Sequence, residues 1–169
     1  MLRTDEIPVA HTPPGGYGDA FPAPILAGCN EPLADGAPDL RGMWRVVEVE
    51  VDGAPAPSTH PAYAHFERVE QCGNRLVVTA GGVIHDMRCD GTERNGVDDV
   101  AEFDFTTRIV VVSTYERGVH VLRPVGIPVE VTRRRDGSHM VWTYLGFTAR
   151  LERVGDTDAS PPQPRPAPA

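Results

Sequence analysis

The chain has 169 residues, a net charge of -8 and sixteen basic residues, all of them arginine. That acidity argues against a non-specific grip on nucleic acid or anionic membrane, and the absence of lysine excludes Schiff-base and P-loop chemistry. No apolar run approaches the ~20 residues that a membrane-spanning helix needs, and three cysteines (Cys29, Cys72, Cys89) are too sparse for a disulfide framework, though not for one bridge.

Residues 1–38 carry proline and glycine throughout, as in Pro13-Pro14-Gly15-Gly16, and read as an irregular segment. Within it, Phe21 to Leu26 is apolar enough to pack on a domain. Leu26-Ala27-Gly28-Cys29 matches a lipobox, the alternative being a protein lipid-anchored at Cys29. The context lacks the basic start and the continuous apolar stretch of roughly 7–15 residues of a signal, with Asp5, Glu6, Asp19, Pro22 and Pro24 ahead of the match. A chance tetrapeptide in a cytoplasmic chain is therefore expected.

Residues 39–154 read as one all-β domain. Val-rich runs and Gly-bearing turns predict strands at 43–51, 63–70, 75–80, 83–89, 99–105, 109–115, 119–123, 129–134, 139–145 and 147–153. Asp52-Gly53, Asn95-Gly96, Arg117-Gly118 and Asp136-Gly137 supply the positive φ of tight hairpins. No helical period interrupts them. Such a run, about 8–10 antiparallel strands, is a meander, and a meander this long closes into a barrel or splits into a sandwich. Residues 155–169 form a Pro-rich tail with no means of making a core and read as disordered. A minor reading makes that tail a ligand for an aromatic-lined groove.

Gly42-Met43-Trp44 opens the first strand, and Ala149-Arg150-Leu151-Glu152-Arg153 lies in the last. This resembles the lipocalin and broader calycin pattern, in which a Gly-x-Trp starts the barrel and an arginine late in the final strand lies over the indole. The resemblance covers about residues 39–154. It implies a barrel closed by Gly42, Trp44 and an arginine, either Arg150 or Arg153; alternation along 147–153 favours Arg150. No signal peptide is evident, the second motif is at best echoed by Ser113-Thr114-Tyr115, and no helix follows the barrel. The match is to an atypical, bacterial lipocalin-like protein rather than a classical transport lipocalin.

Alternation puts Val83, His85, Met87 and Cys89 on one face of their strand, and Met140, Trp142 and Tyr144 on one face of another. The expected ligand-lining set is Met87, Phe103, Phe105, Val111, Val121, Met140, Trp142 and Tyr144. Catalytic candidates are His85, as the acid/base, with Tyr115 and Glu48. Glu48 and Glu50 face inward only if the first strand has no bulge; a bulge would turn Val47, Val49 and Val51 inward instead. Tyr63, His65 and Glu67 alternate on one face of the second strand and add to a polar cluster. The six histidines stand at no spacing that gathers metal ligands, since same-face strand neighbours lie ~7 Å apart. No metal and no cofactor are expected.

The function expected from these residues is binding of a small, largely apolar molecule in the barrel. The alternative is a cofactor-free isomerase, lyase, dehydratase or cyclase working through His85 in the same cavity. Partners are a small-molecule ligand or substrate and at most a second copy of the chain, with no nucleic acid and no membrane insertion.

Overall fold

The computed structural model describes residues 2–158; the part of the Pro-rich tail from residue 159 on lies outside the described residues. Its strands are β1 (Gly42–Val51), β2 (Ala54–Pro55), β3 (Phe66–Cys72), β4 (Arg75–Ala80), β5 (Val83–Arg88), β6 (Val97–Val100), β7 (Arg108–Glu116), β8 (Val119–Pro124), β9 (Val131–Asp136), β10 (His139–Tyr144) and β11 (Phe147–Gly155). They form one antiparallel sheet in the order β5-β4-β3-β1-β11-β10-β9-β8-β7-β6, with the short β2 off this path on β1. The first and last long strands, β1 and β11, pair with each other, and the sheet wraps into a nearly closed barrel.

Two expected strands shift for local reasons. The stretch from 63 belongs to a 3-10 turn, Pro61–Ala64, which His60 caps by accepting the Ala62 N–H. The segment 99–105 leaves the sheet after Val100, because the Asp104 carboxylate accepts the N–H groups of Thr106 and Thr107 and Phe105 adopts φ +56. Phe105 thereby lies on the β4–β5 turn rather than in the lumen, where a Cβ on Gly82 would come within 2.8 Å of its ring. Strand β1 carries a bulge between Val46 and Glu48. The extra residue sends Glu48 and Glu50 to solvent and buries Val49, which corrects the inward placement of Glu48.

The barrel has a filled base. Trp44 and Leu40 are fully buried, and the Trp44 indole N–H donates to the Leu40 carbonyl at 2.8 Å. The arginine over the indole is Arg135 of β9, 5.5 Å from the ring centroid. Arg153 pairs across from Trp44 and donates to the Arg41 carbonyl, filling the space a Cβ on Gly42 (φ +143) would need. Arg150, the residue expected there, points outward and binds Asp136 at 2.7 Å. Alternation gives Arg150 the opposite face from Leu151, and Leu151 is the lumen residue.

Residues 2–38 form a strap over the outer face of β3, β4 and β5. It climbs beside β5, where Ala10 N–H donates to Asp86 and the Thr12 hydroxyl accepts the Ile84 N–H and donates to the Ile84 carbonyl. It turns at Tyr17, bound to Gly82 O, and descends along β3, where Arg68 reaches the Pro22 carbonyl and Glu70 accepts the N–H groups of Ile25 and Leu26. Burial raises the Glu70 pKa despite those bonds. Beneath the strap, a buried Arg75–Asp86 pair (2.6 Å) also donates to the carbonyls of Thr4, Ile7 and Pro8. A Cys29–Cys72 disulfide fastens the descending arm. Cys72 is thus buried and bonded, and Cys29 carries a protein bridge rather than a lipid.

Candidate functional site

The strand register sets which side chains enter the lumen. Cross-strand partners share a face, so Glu67, Val69 and Gln71 of β3 point inward with Trp44. On the far wall the inward set includes Ser113 and Tyr115 of β7, His120 and Leu122 of β8, and Arg133 of β9. Glu67 and Arg133 are separated along the sheet by β1, β11 and β10, and they meet across the lumen. Arg133 Nε and Nη2 donate to the two Glu67 oxygens at 3.0 and 3.1 Å, with both residues buried.

Burial alone would favour a neutral Glu67. The Arg133 charge, together with hydrogen bonds from His65 and Arg133, overrides it and holds the carboxyl at about 2. His65 Nε2 lies 2.7 Å from Glu67 Oε1. Because that carboxylate is ionised, the His65 Nε2–H is the donor.

Toward the base runs a second chain of polar groups. His120 Nε2 lies 2.9 Å from Ser113 Oγ, which donates to Cys89 Sγ at 3.2 Å. Burial, with the Arg133 charge, drives His120 down to about 3, so it is neutral, and its Nδ1 has no partner. Burial likewise pushes the Cys89 thiol up to about 11 and the Tyr115 phenol upward, and Tyr115 Oη accepts from Gln71 Nε2 at 2.9 Å. His120, Ser113 and Cys89 are buried, Tyr115 is half-buried, and together they form a hydrogen-bonded core.

At the other end of the barrel, where β10 turns into β11, the side chains are partly exposed and aromatic. His65 stacks on Trp142 with centroids 4.3 Å apart, Phe147 meets Trp142 edge-on at 5.2 Å, and Tyr144 leans on both. The Arg133 guanidinium lies 5.4 Å from the Trp142 centroid, and His60 packs on Phe147. Trp142 is 6% exposed, yet its indole N–H has no hydrogen-bond partner. An unpaired buried donor costs about 1–3 kcal/mol.

The expected site residues divide between this end and elsewhere. Trp142 and Tyr144 lie in the aromatic cluster, while Met87, Val111 and Met140 are core residues of the lumen. Phe103 is 81% exposed, Phe105 lies on Gly82, and Val121 takes the strand face opposite His120, so these three do not line the lumen. His85 Nε2 bonds the Val100 carbonyl at 3.0 Å and thereby bridges β5 to β6, where the sheet's two edge strands meet. Burial lowers its pKa against that bond. Tyr115 is half-buried in the polar chain toward the base, and Glu48 is on the outer surface, so His85, Tyr115 and Glu48 are not gathered in one place. Among the described residues, no group of His, Cys, Asp and Glu is arranged to hold a metal ion.

Sequence reading did not find His120, Arg133 or Ser113. Arg133 stands in the run Arg133-Arg134-Arg135, which reads as solvated charge on an edge. Its signal is parity: Arg133 and Arg135 share a face with Val131, while Arg134 faces out. Compared with protein-family models and with curated proteins, the chain matches none.

Proposed function

We propose that this protein binds a small, largely apolar molecule at the open end of its barrel, in the manner of a lipocalin-like carrier. The observation that carries this reading is the Trp142 indole N–H, buried and unpaired within a cluster of His65, Tyr144 and Phe147. Apolar walls with a single convergent donor suit a ligand that has one hydrogen-bond acceptor on an otherwise apolar, planar body. Because Glu67 and Arg133 neutralise each other, the site offers no free charge for an anionic ligand. The Gly42-x-Trp44 opening and the β1–β11 closure support calycin kinship, and the Cys29–Cys72 bridge favours an oxidising compartment over the cytoplasm.

A second reading, a cofactor-free enzyme, rests on His65 rather than His85. His65 has a carboxylate hydrogen-bonded to one ring nitrogen and lies beside the aromatic cluster. Native mass spectrometry of protein from its own host, followed by titration with a neutral naphthylamine dye, tests the binding reading. A bound organic mass, or saturable dye uptake that quenches tryptophan emission, is expected. Protein that carries no small molecule and takes up no dye ends this reading. Turnover lost in His65→Ala but kept in His85→Ala would favour the enzyme.

A further inference from the structure

We propose that the open end of the barrel is also a docking surface for a zwitterionic phospholipid bilayer, entered by the tips of three separate loops. Phe103 is 81% exposed, Ile127 56% and Leu145 50%. They lie on the β6–β7, β8–β9 and β10–β11 connections, which antiparallel pairing puts at one end of the barrel, the end that holds the aromatic cluster. The remaining exposed large hydrophobics of this end, Val125 and Tyr144, belong to the same loops or to the strand leading into them.

The exposure is built into the loops. Phe103 stands between Glu102, which packs on Gly81, and Phe105, which packs on Gly82, and the Asp104 carboxylate ties the loop through Thr106 and Thr107. Ile127 sits in a turn closed by its own N–H on the Pro124 carbonyl. Both neighbours of Phe103 are pinned to the protein while its own ring is left in water.

Charge selects the occupant. Glu102 and Asp104 lie in the loop that carries Phe103, and Glu130, in the loop of Ile127, is paired with Arg123. The arginines on the strands that join these loops are already engaged, Arg108 with Asp98 and Arg123 with Glu116 and Glu130. A second copy set end to end would bring the acidic loops of two chains of charge -8 together, and an anionic membrane would be repelled in the same way. A zwitterionic surface carries no net charge. Its fluid interface also closes around separate tips, which a flat protein face does not do. No described helix is long and apolar enough to cross a membrane. The inference goes beyond the small-molecule reading and does not need it.

Flotation of the full chain with phosphatidylcholine vesicles tests it. Wild-type protein is expected to float, with no loss at high salt and no gain when phosphatidylglycerol is added. Phe103→Ser, Ile127→Ser and Leu145→Ser are each expected to lower the partition coefficient about tenfold. Unchanged near-ultraviolet circular dichroism would establish that these surface variants fold. Wild-type protein that stays with the soluble fraction overturns the proposal, as does flotation that survives in the triple variant. A concentration-dependent dimer abolished by the same three substitutions overturns it in favour of a second copy. The triple variant should still take up the naphthylamine dye without vesicles. Flotation without dye uptake would refute the ligand reading and leave the docking surface standing.

Discussion

Glu67 and Arg133 form a fully buried ion pair across the lumen, and its energetics are asymmetric. Two charges taken from water recover little beyond their desolvation, but removing one of them strands the other. Glu67→Gln leaves the Arg133 guanidinium uncompensated and should lower unfolding free energy by about 3–5 kcal/mol, measured by urea denaturation. Glu67→Leu with Arg133→Met should cost less than that single change. A double variant as damaged as the single one would mean that packing, not charge, governs the site. Trp142 makes the opposite case. Trp142→Phe keeps an aromatic ring against His65 and deletes the unpaired donor. It should leave stability unchanged or raised by up to about 1 kcal/mol while weakening dye binding roughly tenfold. Loss of stability in Trp142→Phe would mean that the indole N–H has a partner in the unliganded protein.

The strap and the sheet beneath it form the element that most distinguishes this barrel. It covers both polar and apolar parts of β3–β5, and Thr12 acts as a substitute strand partner for Ile84 at the exposed edge of β5. The disulfide closes a sequence separation of 43 residues, for which chain-entropy reasoning gives about 4 kcal/mol. Cys29→Ser with Cys72→Ser should therefore lose roughly 2–4 kcal/mol, and limited proteolysis should cut within residues 2–38 before the barrel. Equal proteolytic resistance of strap and barrel in that variant would show that the buried charges hold the strap unaided. The strands themselves were legible because a two-residue period and Gly-bearing turns are local signals, whereas their register, with the bulge between Val46 and Glu48, is set by pairing across the sheet. The strap was not, for a physical reason. Arg68, Glu70, Arg75 and Asp86 alternate with lumen residues just as solvent-facing side chains do, yet they are buried under residues 2–38 and bonded to its backbone. Ile84 and Val77, apolar on that outer face, and the apolar stretch Phe21 to Leu26 were the signals of a cover. The candidate site was half legible: His65, Glu67, Trp142 and Tyr144 came from strand parity, whereas their partner Arg133 required knowing which strand lies across the lumen.

At the scale of the whole molecule, the buried ionisable groups of the lumen set how the fold meets acid. Glu67 has a folded pKa of about 2 against an ordinary 4.5, so its contribution is complete above 4.5 and is lost as pH falls toward 2. His120 is held neutral, at about 3 against 6.5. A histidine depressed in this way stabilises the fold fully above 6.5, and below that the unfolded chain takes up a proton that the native chain refuses. The two contributions have the same sign and cover windows that overlap between about 4.5 and 3. Unfolding free energy should therefore hold steady near neutrality and begin to fall below about pH 6.5. Between 6.5 and 4.5 the slope assigned to His120 is about 1.4 kcal/mol per pH unit, one proton's worth, and it steepens where Glu67 joins below 4.5. His120→Gln can still donate to Ser113 and should flatten the upper window while leaving the lower one in place. Glu67→Gln should do the reverse, from a lower starting stability. Urea unfolding of the three proteins at half-unit steps from pH 7.5 to 3 separates these cases. An upper slope that persists in His120→Gln would transfer it to another histidine, and His85, whose pKa burial also lowers, is the one the structure nominates.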